Sequence, residues 1–156
     1  MSPERLWRLS AALRRRGYRR LALLVKNLNS VVYHNSLAPG TDFSPDISFG
    51  HHGFGTVIHS NVTIGRRVKI WHGVTIAVHS WTGSDQRIWI EDDVSIGANS
   101  VVIAPADKSL RIGRGARIGA GAVVASDVPA GATVIVSPSR ILKASDVEEP
   151  PTTGGP

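Results

Sequence analysis

The feature that most constrains this chain is a six-residue period. Ile58, Ile64, Ile70 and Ile76 recur every sixth position, and Val62, Val68 and Val74 hold the fifth place of successive hexads that read IHSNVT, IGRRVK and IWHGVT. After an irregular passage the phase resumes with IEDDVS at 90, IGANSV at 96 and Val102. It breaks again around PADKSLR and returns as IGRGAR at 112, IGAGAV at 118 and VASDVP at 124. A six-residue period fits neither a helix nor a long strand. It fits very short strands joined by corners, with a β-branched residue pointing inward and Gly, Asn or Asp allowing the tight turn. Three hexads close one triangular coil, and stacked coils bury continuous isoleucine and valine columns, so the expected fold is an all-β solenoid that grows by neighbour contacts.

The first 38 residues do not share this period. Pro3 followed by ERLWRLSAALRRR predicts a helix with Leu6, Leu9 and Leu13 near one face, interrupted at Gly17. A second helical stretch follows, with Leu21, Leu24, Val25 and Leu28 available to a partner, and Pro39 and Gly40 close the region. The chain therefore divides into a helical segment, 1–38, a solenoid, 39–143, and a tail, 144–156, whose EEPPTTGGP ending reads as flexible.

Charge follows the same division. The formal charge of +6 conceals +7 in residues 1–40, where eight Arg or Lys face Glu4 alone, and −1 in residues 41–156. A near-neutral solenoid with no recognition motif argues against a nucleic-acid-binding module. Arg14, Arg15, Arg16, Arg19 and Arg20 leave peripheral contact with an anionic membrane open. No apolar stretch approaches the length needed to span a bilayer. The absence of cysteine removes disulfides, thiolate metal sites and a cysteine nucleophile, and the plain expectation is a cytoplasmic protein.

With its hexads from 58 to 135, and with TDFSP at 41, HGFGTVIH at 52, VTIGRRVKIWHGVTI at 62 and VPAGATVIVSPSRIL at 128, the chain resembles the hexapeptide-repeat acyltransferases. More narrowly it resembles the serine O-acetyltransferase group, including short members associated with polysaccharide modification. That resemblance implies a left-handed parallel β-helix, acetyl-CoA as acyl donor and a homotrimer with active sites between subunits. It implies O-acetyl transfer to a small polar or carbohydrate-like acceptor, with serine O-acetyltransferase as one alternative and a non-catalytic assembly or regulatory protein as another.

In that group a histidine opening a HATGIVIG-like segment is the general base, assisted by an upstream aspartate. Here HGFGTVIH puts His52 in the base position, and TDFSP makes Asp42 its partner. Counting forward from TDFSP reaches His51 instead, whereas the phase of the isoleucine hexads, fixed by many more residues, selects His52. His51 then takes the place where relatives often carry an aspartate that engages the acceptor, with His72 and Arg87 as further acceptor-side candidates. The group's second active-site histidine corresponds to Arg87, and its glycine pair to Ala77 and Val78. Imidazole suits the base because it exchanges a proton near neutral pH, and direct transfer needs no enzyme nucleophile. For coenzyme A the expected contacts are Ala98, Gly119 and Ala120 at the turns and the cations Arg114, Arg117, Arg140 and Lys143.

A zinc site of the kind found in the related γ-class carbonic anhydrases would require His52, His59, His72 and His79 to converge. The acetyltransferase-like segment fits better, so no metal is expected and His59 is assigned to a turn.

Overall fold

The computed structural model describes residues 2–79, 85–106 and 108–137. Its body is a triangular solenoid with three parallel sheets, one on each side of the prism. The first sheet stacks β1 (Ser36–Leu37), β4 (Val57–Ile58), β7 (Thr75–Val78), β10 (Val101–Ala104) and β13 (Val123–Val124). The second stacks β2 (Asp42–Phe43), β5 (Val62–Ile64), β8 (Ile88–Ile90) and β11 (Leu110–Ile112). The third stacks β3 (Ser48–Phe49), β6 (Lys69–Ile70), β9 (Ser95–Ile96), β12 (Arg117–Ile118) and β14 (Thr133–Val134).

The register converts the hexads into columns. Leu37, Ile58, Ile76, Val102 and Val124 lie in line on the first sheet, and Ile70, Ile96 and Ile118 on the third. All are buried. Burying one such side chain is worth about 1.5–3 kcal/mol, and a vertical column gives every coil the same reward for joining the stack. At two of the three edges the chain turns through a left-handed residue. On the edge joining the third sheet to the first, Gly73, Asn99 and Gly121 fill that role (φ 67°, 56° and 72°), and on the edge joining the second to the third it falls to Arg67, Asp93 and Gly115.

Two helices, α1 (Pro3–Arg15) and α2 (Arg19–Tyr33), form a hairpin over the first coil. Trp7 plugs the open end. Its ring stacks on Phe43 at 3.9 Å and its indole N–H donates to the Ala38 carbonyl at 2.8 Å, while the Phe49 N–H donates to Glu4 Oε1 at 3.0 Å. The leucines that the sequence makes available to a partner find none within the hairpin. Leu21, Leu24 and Leu28 do not pack against α1. Ala22 and Asn29 are the buried residues of α2, the Ser10 hydroxyl donates to the Ala22 carbonyl at 2.8 Å, and the three leucines are exposed. The small side chains allow the two helices to approach closely, which turns the leucines outward.

Candidate functional site

The edge between the third and first sheets carries His51, His52 and His72. In the regular coils this corner takes four residues, 71–74, between paired strands; in the first coil it takes seven, 50–56. The added length forms a 3-10 turn, Gly50–Gly53, in which His51 (φ 50°, ψ 42°) and His52 (φ 56°, ψ 20°) are both left-handed. Two consecutive non-glycine residues in that region carry a conformational cost of the kind that concentrates at functional sites. Both side chains are exposed. Gly50 makes the corner possible: a Cβ there would lie 2.5 Å from the Trp71 ring.

Register then lines up the rest. His51 stands over His72, and below His72 come Ala98 and Ala120, each one residue before the left-handed corner position. The His51 and His72 rings are 5.0 Å apart in an edge-to-face arrangement, with Trp71 5.7 Å from His51. His52 faces Tyr33 at the end of α2, 5.8 Å between rings. Backbone bonds stitch the column together: the Gly73 N–H donates to the Phe54 carbonyl, Asn99 to His72 and Gly121 to Ala98. His72 Nδ1 is buried and has no hydrogen-bond partner among the described residues, which leaves a polar atom for a ligand to satisfy. The edge thus offers three imidazoles at one end and, below them, the small corner residues Ala98, Gly119 and Ala120.

Not every candidate reaches this edge. Asp42 lies in β2 on the second sheet, paired with Thr63, and makes no hydrogen bond to His52. Within one chain the structure does not bring Asp42 and His52 together: Asp42 is on the second sheet and His52 is at the edge between the third and first. Asp42 instead lines a cleft of about 410 Å³ with Arg14, Arg15, Arg19 and Thr41. Arg87 sits at the edge joining the first sheet to the second, where Nη1 donates to Thr63 Oγ1 at 3.3 Å and the backbone N–H to Ser109 Oγ at 3.1 Å. Arg114 is at the corner between the second and third sheets, where its backbone N–H donates to Glu91 Oε2 at 2.8 Å. Arg117 is exposed on the third sheet, two residues before Gly119. Arg140, Lys143 and the tail lie outside the described residues. His59 accepts the Asn61 N–H through Nδ1 at 3.1 Å and is a turn residue.

Sequence reasoning missed Tyr33 and Trp71. Each gains its place beside the histidines from register or from the hairpin, and neither carries a local signal. Among the described residues no three His, Cys, Asp or Glu side chains are grouped to hold a metal, and no helix is long and apolar enough to cross a membrane.

Comparison with known proteins supplies the context. A family model described as the hexapeptide repeat of succinyl-transferase matches residues 87–126. The serine acetyltransferase of Mycobacterium tuberculosis is 33% identical over 149 residues, 96% of this chain and 61% of that protein. Among solved structures, soybean serine acetyltransferase complexed with serine superposes with a TM-score of 0.76 at 32% identity, covering 88% of this chain and 54% of that one. The serine acetyltransferase of Brucella abortus in complex with coenzyme A gives the same TM-score at 26% identity, covering 88% and 53%. The chain thus spans between half and two thirds of the length of these relatives. On its repeats, its three-sided solenoid and these similarities, the chain is a hexapeptide-repeat left-handed β-helix in close structural kinship with the serine acetyltransferases.

Proposed function

We propose that this chain is an acetyl-CoA-dependent O-acetyltransferase that acetylates the hydroxyl of a small polar acceptor, with L-serine the acceptor its relatives support best. The observation that carries the reading is the single edge on which His51, His52 and His72 stand above the corner column of Ala98 and Ala120. Acetyl-CoA supplies the thioester. The acceptor oxygen attacks its carbonyl as His52 takes the hydroxyl proton; the C–O bond forms, the C–S bond breaks and the proton passes to the departing thiolate. Corner N–H groups suit the developing oxyanion. In this reading Ala98, Gly119 and Ala120 face the coenzyme, Arg117 on the adjoining strand β12 is the candidate cation, and His51 and His72 contact the acceptor.

The working unit in this proposal is a homotrimer. The outer face of the first sheet presents Val57, Val101, Ile103 and Val123, the last 70% exposed, with Ser36, Thr75 and Ala77 between them, whereas the third sheet presents Ser48, Lys69, Ser95, Arg117 and Thr133. An apolar outer face beside the histidine edge favours a neighbouring copy there. Such a neighbour would bring its own Arg87 edge, separate from the histidines within one chain, toward them. The cytoplasm is the compartment proposed for this work.

A carbohydrate-like acceptor is the second reading, favoured by Arg87 in place of a histidine and by His51 in place of an acceptor-binding aspartate. Thiol release from acetyl-CoA, measured with serine, amino sugars, glycans and hydroxylated metabolites, separates the two. Turnover with serine alone supports the first reading, preference for a sugar supports the second, and no coenzyme A binding or transfer across the panel rejects both.

A further inference from the structure

The hairpin holds a surface that the solenoid does not use. On α2, Leu21, Leu24, Leu28, Val31 and Val32 form one continuous stripe, since positions spaced by three, four and seven residues share a helix face. The stripe is exposed throughout, from 46% at Leu28 to 73% at Val31. It is separate from the face of Ala22 and Asn29 that packs against α1. At the N-terminal end of the stripe the hairpin turn carries Arg14, Arg15, Arg16, Arg19 and Arg20, all exposed, together with exposed Tyr18. Glu4 is the only acidic residue before Asp42.

We propose that this face of α2 docks the protein on an anionic lipid surface. The apolar stripe enters the boundary between headgroups and acyl chains, and the hairpin arginines meet the phosphates. Charge complementarity selects this occupant. A second copy of the chain seated on the stripe would bring together two helical segments of +7 each, with one carboxylate apiece to offset them, whereas an anionic bilayer supplies the missing negative charge at the arginine-bearing end of the stripe. The helix is 15 residues long and lies outside the range that crosses a bilayer, so it would lie in the interface plane. The proposal does not depend on the acyl-transfer reading, because the stripe and arginines lie outside the histidine edge.

The test is co-sedimentation of the full chain with vesicles of phosphatidylcholine alone or mixed equally with phosphatidylglycerol. Each variant is checked by circular dichroism for retained structure. The expected result is binding to the anionic vesicles at least about tenfold tighter than to the neutral ones. That binding should weaken as added salt shortens the Debye length from about 10 Å to about 3 Å. Leu24→Glu with Leu28→Glu should abolish it. Arg16→Gln with Arg20→Gln should weaken it by about fivefold per arginine and flatten the salt dependence. Equal partitioning to both vesicle types, absence of binding, or binding untouched by the leucine variant would overturn the proposal. So would a fall in solution mass of the leucine variant by analytical ultracentrifugation, because that result makes the stripe a contact between copies.

Discussion

The rings of His51 and His72 meet edge to face with centroids 5.0 Å apart, although 21 positions separate them in the chain. Coil stacking brings them together, and His72 Nδ1 is left with no partner among the described residues. If the pair faces the acceptor, replacing either by alanine should lower kcat/KM for the acceptor by about tenfold, the value of one hydrogen bond, while KM for acetyl-CoA stays unchanged. Steady-state kinetics with each substrate varied in turn provides the check. Complete loss of turnover in His51→Ala alone would make His51 the base.

Gly50 and Trp71 are matched in space. Because a Cβ at position 50 would lie 2.5 Å from the indole ring, Gly50→Ala forces the ring and the histidine corner apart. The expected cost is about 1–3 kcal/mol in denaturant unfolding, with a loss of transfer rate larger than the stability change explains. A variant with wild-type kinetics would show that the corner tolerates displacement.

Trp7 closes the solenoid by stacking on Phe43 and by its bond to the Ala38 carbonyl. Trp7→Ala should destabilise the protein by about 3–5 kcal/mol, because it opens a cavity over the first coil and leaves the Ala38 carbonyl with only the Thr41 N–H at 3.3 Å. Hydrogen exchange should localise the loss to the first coil and hairpin, with the β10–β13 coils protected as before.

Acid should loosen the corner between the second and third sheets. The Arg111 guanidinium, bonded to Glu91 at 2.8 Å, and the Arg114 N–H hold the Glu91 carboxyl below its ordinary value. Arg67 does the same for Asp93, and the Ser44 hydroxyl, with the Arg67 backbone and Arg66, for Asp46. A carboxyl depressed by folding contributes stability that is complete above its unfolded value, about 4 for these side chains, and is lost as pH falls through the folded value. Tm should therefore decline as pH drops below about 4, and Glu91→Gln should show a smaller decline from a lower starting point. An identical pH response in wild type and variant would remove Glu91 from the account.

The solenoid was legible because its period is written in the residues themselves: Ile58, Ile64, Ile70 and Ile76 each mark one side of a coil. His72, Ala98 and Ala120 were legible for the same reason, since equivalent corners recur with that period. Asp42 was nominated by its TDFSP motif, which fixes its place in the sequence and not its side of the prism. In an 18-residue coil such as that from Val57 to Thr75, ten residues carry the chain past half a circuit and onto another side. Arg114 lies on a different corner from Ala98 and Ala120. The outward turn of Leu21, Leu24 and Leu28 was hidden because helical spacing identifies an apolar face without saying that a second face, Ala22 and Asn29, makes the contact. The seven-residue corner that holds His51 and His52 left-handed was visible only as an interruption of the hexads.

The most direct test of the account is acetyl-CoA turnover with L-serine by wild type and by His52→Ala, with retained fold and coenzyme A binding verified for both. The account predicts that the variant binds coenzyme A with wild-type affinity and loses about 10²–10⁴-fold in kcat, the usual contribution of a positioned general base. Wild-type turnover in the variant would contradict it.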